Sequence, residues 1–306
     1  MQKITGTFPS CNGRTKDAFY FWLPKGKPRA VVQLSHGMCE YVLRYEPLAE
    51  FLCSHGIAFA GHDHPGHGRS APSPEELGFI DEKDGASLLA ADLRRMNLLV
   101  QKRFPGVPVF LLGHSMGSFV ARLYLSYYAE GLSGAVICGT SGGNPGAKAG
   151  ILMAKEIMRR KGSHCRSEML NSLAFGNYNR AFDGDSPYEW LTADREIVDR
   201  YAADPFCNFI FTAAGFRDLF TLVERVSAPE WAASLPNGLP LLLIAGGKDP
   251  VGDYGKGVRK VAARLAEAGA EDVTLHIYPL GRHEIFNELN KEEVFADLLH
   301  WINGKL

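Results

Sequence analysis

Three residue types suited to nucleophilic catalysis stand far apart in this 306-residue chain. They are Ser115 in Gly113-His114-Ser115-Met116-Gly117, Asp249 in Asp249-Pro250-Val251-Gly252, and His283 in Gly281-Arg282-His283-Glu284. A serine hydroxyl attacks poorly at neutral pH unless a base accepts its proton. Histidine can take that proton and return it to a leaving group, while an aspartate behind it fixes the tautomer and stabilises the imidazolium. The chemistry in prospect is acyl transfer through a tetrahedral oxyanion, which needs N–H donors aimed at it. The amide of Met116 follows the serine at the start of a helix. That of Met38, in His36-Gly37-Met38-Cys39-Glu40, would be the second donor, with Gly37 allowing close approach of the backbone.

A glycine-flanked serine is common by chance, so the elements around it decide. The apolar stretch Val107 to Leu112 predicts a strand buried on both faces, and Ser118 to Glu130 predicts a helix. A strand that turns at once into a helix strains its corner residue and leaves no room for side chains at Gly113 and Gly117. Ala30 to Ser35 predicts a strand that runs into the Met38 loop, and Ile57 to Gly61 another after a helix from Val42 to His55. A helix over Asp84 to Phe104 carries Leu89, Leu93, Met96 and Val100 on one stripe, and Gly134 to Gly139 predicts a further strand. The first segments, Ile4 to Phe8 and Ala18 to Leu23, read as an antiparallel edge.

The alternation then stops. Between Ser141 and Leu235 the pattern predicts helices over Gly146–Arg160, Ser167–Phe175, Arg195–Tyr201 and Phe209–Val226, with no buried strand. Strands resume at Leu239 to Gly246 and Val273 to Tyr278. Asp249 and His283 each follow a strand end, where ligands gather in parallel sheets. The expectation is an α/β core over residues 1–140 and 236–306 and a helical cap over 141–235. On the first cap helix Ile151 and Met158 share an apolar stripe expected to contact substrate, as are Gly37 and His114 beside the serine. Lys148, Lys155 and Arg159 form an adjacent basic stripe that could meet an anionic lipid surface.

Composition narrows the partners. Lys plus Arg number 33 against 34 Asp plus Glu, a balance without a bulk field for nucleic acid. No run reaches the length of a membrane span, and the six dispersed cysteines form no C-x-x-C pair, so reduced thiols in a cytoplasm are expected. His62-Asp63-His64-Pro65-Gly66-His67-Gly68 offers metal-ligand types, but on a tight glycine loop rather than one face of an element. It reads as a turn bracing the site, with no metal.

Taken together, His36 to Glu40 with Arg44-Tyr45, Asp63 to Ser70, Gly113 to Gly117, Asp249 to Gly252 and His283-Glu284 resemble the monoacylglycerol lipase and lysophospholipase branch of the α/β-hydrolases, the serine aminopeptidase S33-like group. The resemblance covers nearly the whole chain. It implies an eight-stranded mostly parallel sheet with helices on both faces, a helical cap over the serine, and Ser115, Asp249 and His283 as a triad. It also implies hydrolysis of monoacylglycerol, lysophospholipid or similar single-acyl esters without a cofactor. Relatives often carry a small residue where Met38 stands, so its side chain should narrow the cavity. Two other readings stay open: an aminopeptidase, which would need acidic cap residues such as Glu189, Asp194 or Glu224 to hold an amine, and a non-catalytic binding module. The oligomeric state is left open.

Overall fold

The computed structural model describes every residue from Met1 to Leu306. Eight strands form one sheet: β1 (Gln2–Pro9), β2 (Lys16–Leu23), β3 (Ala30–Ser35), β4 (Ile57–His62), β5 (Val109–His114), β6 (Gly134–Cys138), β7 (Leu241–Gly246) and β8 (Val273–Tyr278). Their spatial order is β1-β2-β4-β3-β5-β6-β7-β8. β2 pairs antiparallel with β1 and β4, and all other pairings are parallel. The fold is α/β, with the antiparallel edge and parallel remainder that the residue pattern implies.

The central strands are apolar throughout because both faces are covered. Along β5, Phe110 and Leu112 enter one core with Leu48 and Leu52 of α1 (Glu46–Ser54) and Val294 and Leu298 of α10 (Lys291–Asn303). Leu111, between them, points into the other core, with Leu89 and Leu93 of α2 (Gly85–Arg103), Val120 of α3 (Met116–Tyr128) and Val261 of α9 (Lys256–Glu267). That period-two division puts helices on both faces of the sheet.

Between β6 and β7 lie α4 (Ala147–Lys161), α5 (Glu168–Phe175), α6 (Arg195–Ala203), α7 (Ala213–Ser227) and the short α8 (Pro229–Ala233). Two boundaries differ from the sequence expectation for local reasons. Val42–Tyr45 is a 3-10 turn, and α1 starts only at Glu46, with Pro47 in its first turn where a missing N–H costs nothing. Residues 209–212 are not helical: Thr212 accepts a hydrogen bond from the Gly215 N–H at 3.1 Å and caps α7.

β3 and β5 are neighbours, but β3 connects to β4 on one side and β5 to β6 on the other, which opens a crevice at their carboxyl ends. The Met38 loop leaves β3 there, and Ser115 directly follows β5.

Candidate active site

Ser115 sits at φ 54° and ψ −122°, a strained left-handed corner between β5 and α3. The neighbours enforce it. A Cβ on Gly117 would stand 2.0 Å from the Ser35 carbonyl oxygen, and one on Gly113 would stand 2.5 Å from that of Gly117. Only glycines let the elbow press against the carboxyl end of β3, which lifts the hydroxyl into the open cavity.

That hydroxyl lies 2.8 Å from Nε2 of His283. On the far side of the ring, Nδ1 is 3.0 Å from Asp249 Oδ2, a close but bent contact in which neither atom has another polar partner. The other oxygen of Asp249 accepts the Val251 N–H at 2.8 Å, which fixes the carboxylate in its turn. Asp249 is fully buried, whereas Asp253, the alternative acid in the same turn, faces solvent. Gly246 makes room for the histidine loop, since a Cβ there would stand 2.0 Å from the Arg282 carbonyl oxygen.

No acceptor in the chain takes the N–H of Met38 or of Met116, and both residues line the same cavity as Ser115. Gly37 abuts the serine: a Cβ on it would come within 3.0 Å of Ser115 Cβ and 2.5 Å of Glu40 Oε1. Cys39, next in the loop, holds φ 54°. Two amides without an acceptor and a serine hydroxyl therefore belong to residues that line one cavity, and such donors are what an oxyanion requires.

Buried charges tie this loop to the histidine loop. Glu40 accepts from the Gly37 N–H, from Tyr45 Oη at 2.9 Å, from His114 Nδ1 at 3.0 Å and from Arg44 at 3.1 Å. Arg44 reaches onward to both oxygens of Glu284, each at 2.7 Å, next to His283. Burial opposes ionisation of Glu40, but His114 and Arg44 outweigh it and hold the carboxyl below its usual range. Burial likewise lowers His114, and Glu40 more than reverses that, so its imidazole favours the charged form. Glu40, Arg44 and Glu284 enter the sequence reading only among the motifs that carry the resemblance, where no role is given to them.

Behind the Met38 loop, His36, His64 and His67 pack ring on ring, His36 lying 4.4 Å from His64 and 5.3 Å from His67. His36 donates from Nδ1 to the Gly37 carbonyl at 2.8 Å and accepts the His64 N–H at Nε2. Burial pushes His36 down to about 3 and His67 to about 4, so the cluster is neutral and acts as a brace.

The cavity over Ser115 measures about 790 Å³. Phe119, Leu219, Phe220, Val223 and Val251 supply apolar wall, and Met38 and His114 line it near the serine. Ile151 and Met158 are not part of it, contrary to the sequence expectation: they pack into the core with α4 laid along α7, and Met158 Sδ contacts Arg217 at 3.9 Å. The three cap acids do not reach it either. Glu189 pairs with Arg195, Asp194 caps α6, and Glu224 lies 3.8 Å from Lys148. Trp190 and Tyr201, unnoticed in the sequence, do line the wall.

A family model described as serine aminopeptidase, S33, matches residues 26–290. The chain belongs to this family. A monoacylglycerol lipase of Mycolicibacterium smegmatis is 31% identical over 96% of this chain and 95% of its own. A monoglyceride lipase homolog of monkeypox virus is 41% identical over 94% of each. Among solved structures, a thermostable carboxyl esterase from Bacillus coagulans in complex with glycerol superposes with a TM-score of 0.93 at 32% identity, covering 99% of both chains. Within the S33 family, the eight-stranded sheet and flanking helices described above are those of an α/β-hydrolase.

Proposed function

We propose that this ester hydrolase cleaves monoacylglycerols, lysophospholipids or similar single-acyl esters through an acyl-enzyme on Ser115. The observation that carries the reading is the 2.8 Å contact between Ser115 Oγ and His283 Nε2 beneath a largely apolar cavity. His283 takes the hydroxyl proton as Ser115 attacks the ester carbonyl, and Asp249 stabilises the imidazolium. The oxyanion is held by the amides of Met38 and Met116. His283 then gives the proton to the departing alcohol, and water deacylates the serine by the same route. Residues 141–235 act as a cap that supplies much of the acyl wall, and no cofactor takes part. The relatives' names, lipases and an esterase, support the substrate class.

An amide substrate with a free amine is disfavoured because Glu189, Asp194 and Glu224 lie away from the cavity, and the two acids that line it, Glu40 and Glu284, are already paired with Arg44. A panel of monoacylglycerols, lysophosphatidylcholine, soluble esters of rising acyl length and an aminoacyl arylamide tests the proposal. Each methylene that the cavity buries should contribute up to about 0.8 kcal/mol, raising kcat/KM several-fold per step until the wall is filled. Faster cleavage of the arylamide than of every ester would overturn the reading.

A further inference from the structure

The histidine loop is held on one side by the core and on the other by a segment of the cap. Up to Gly281 the core holds it: the Gly247 N–H donates to the Tyr278 carbonyl at 2.7 Å and the Lys248 N–H to the Gly281 carbonyl at 2.9 Å. From Arg282 onward the partners change. The His283 N–H donates to the Trp190 carbonyl at 3.3 Å and the Glu284 N–H to the Leu191 carbonyl at 2.7 Å. Arg282 donates through Nη1 to the carbonyls of Glu189 and of Thr192, the latter at 3.1 Å. Thr192 Oγ1 donates to the Asn287 carbonyl at 3.0 Å, and the buried Glu288 carboxylate accepts the N–H groups of Arg282 at 2.8 Å and of Ala193 at 3.1 Å.

The indole of Trp190 completes this seam. Its ring centre lies 5.0 Å from that of His283 with the planes 40° apart. Tyr178 packs edge-on against the indole at 5.1 Å, Phe175 stacks at 6.3 Å, and the main-chain N–H of Trp190 donates to Asn179 Oδ1 at 3.1 Å. An imidazole that must meet Ser115 and Asp249 at once has little angular freedom to lose, and a misplacement of about 1 Å can cost roughly a hundredfold in rate.

We propose that Trp190 is a positioning residue for His283, and that the 189–193 segment clamps the base in its reactive orientation so that cap placement and catalytic competence are coupled. The clamp rests on the reading of His283 as the base of Ser115. Holding the ring affects the chemical step more than substrate affinity. Loss of the indole therefore lowers kcat and leaves KM nearly unchanged, and another aromatic ring restores much of the rate.

The test measures kcat and KM for a soluble short-chain p-nitrophenyl ester, and the rate of fluorophosphonate labelling of Ser115, in the full-length wild type and in Trp190→Ala, Trp190→Phe, Glu288→Gln and Ile157→Ala. Ile157 packs in the cap core away from His283 and controls for general loosening of the cap. Expected are a drop in kcat of about tenfold or more for Trp190→Ala with KM within about twofold, parallel slowing of labelling, substantial rescue in Trp190→Phe, and near wild-type kcat in Ile157→Ala. Should Trp190→Ala not fold, Glu288→Gln carries the test, because it loosens the same seam without removing bulk; wild-type kcat there overturns the clamp. An unchanged kcat in folded Trp190→Ala, or an equal drop in Ile157→Ala, also overturns it. A wild type that is neither active nor labelled at Ser115 condemns the triad reading itself, an outcome distinct from failure of the clamp.

Discussion

At the scale of single residues, Asp249 and Asp253 share one turn but differ in what the fold does with them. Asp249 is fully buried with an oxygen 3.0 Å from His283 Nδ1, and Asp253 points into water. Asp249→Asn keeps the shape but offers an amide where the imidazolium needs a carboxylate, so ester turnover should fall by about 10⁴-fold. Asp253→Asn should stay within about twofold, as expected for an exposed substitution. Steady-state assays of the two variants check this, and near-native turnover of Asp249→Asn would remove Asp249 from the mechanism. The meeting of Ser115, Asp249 and His283 is legible in the sequence because each follows a strand end, where a parallel sheet gathers its loops. Trp190 is not legible. Its contribution to the seam is a ring face and a main-chain carbonyl on an irregular segment, and neither leaves a periodic pattern.

At the scale of elements, strand and helix positions follow from hydrophobic period, but what an apolar stripe packs against does not. The stripe of α4 through Ile151 and Met158 is real; it fills the groove along α7 rather than the cavity, because periodicity identifies a buried face and not its partner. Local chemistry also moves boundaries, as Thr212 does by capping α7, so that the helix begins at Ala213, four residues beyond Phe209. The edge of the sheet carries a pH prediction of its own. Asp17 on β2 is fully buried and neither of its oxygens meets a donor, while neighbouring Asp92 on α2 takes Ser10 Oγ and the Cys11 N–H, both at 2.6 Å. Burial first, and then the charge of Asp92, push Asp17 up to about 9. A carboxyl raised on folding binds its proton more tightly in the folded state, so its stabilising contribution is complete below about pH 4 and is lost as pH rises toward 9. Asp17→Asn mimics the neutral form. Its stability relative to wild type should therefore improve between pH 5 and pH 8, as read from urea midpoints; a difference independent of pH would contradict the assignment.

At the scale of the whole molecule, no helix is long and apolar enough to cross a membrane. The outer face of α4 presents exposed Leu152 beside Lys148, Lys155 and Arg159. Lys148 lies 3.8 Å from Glu224 and Arg159 pairs with Glu156, so part of the basic charge is already answered within the cap. Near an anionic surface each remaining charge is worth up to about 1 kcal/mol. Changing Lys148, Lys155 and Arg159 together to Gln should slow hydrolysis of esters in anionic vesicles and spare a soluble short-chain ester; equal effects on both would reduce α4 to a packing element. Every function proposed for the molecule depends on one covalent event. The most direct test is to react the full-length protein with a fluorophosphonate and locate the adduct by peptide mass spectrometry, with Ser115→Ala alongside. The account predicts a single adduct on Ser115 and loss of both labelling and ester turnover in a folded Ser115→Ala protein; an adduct on another residue, or turnover that survives the substitution, would contradict it.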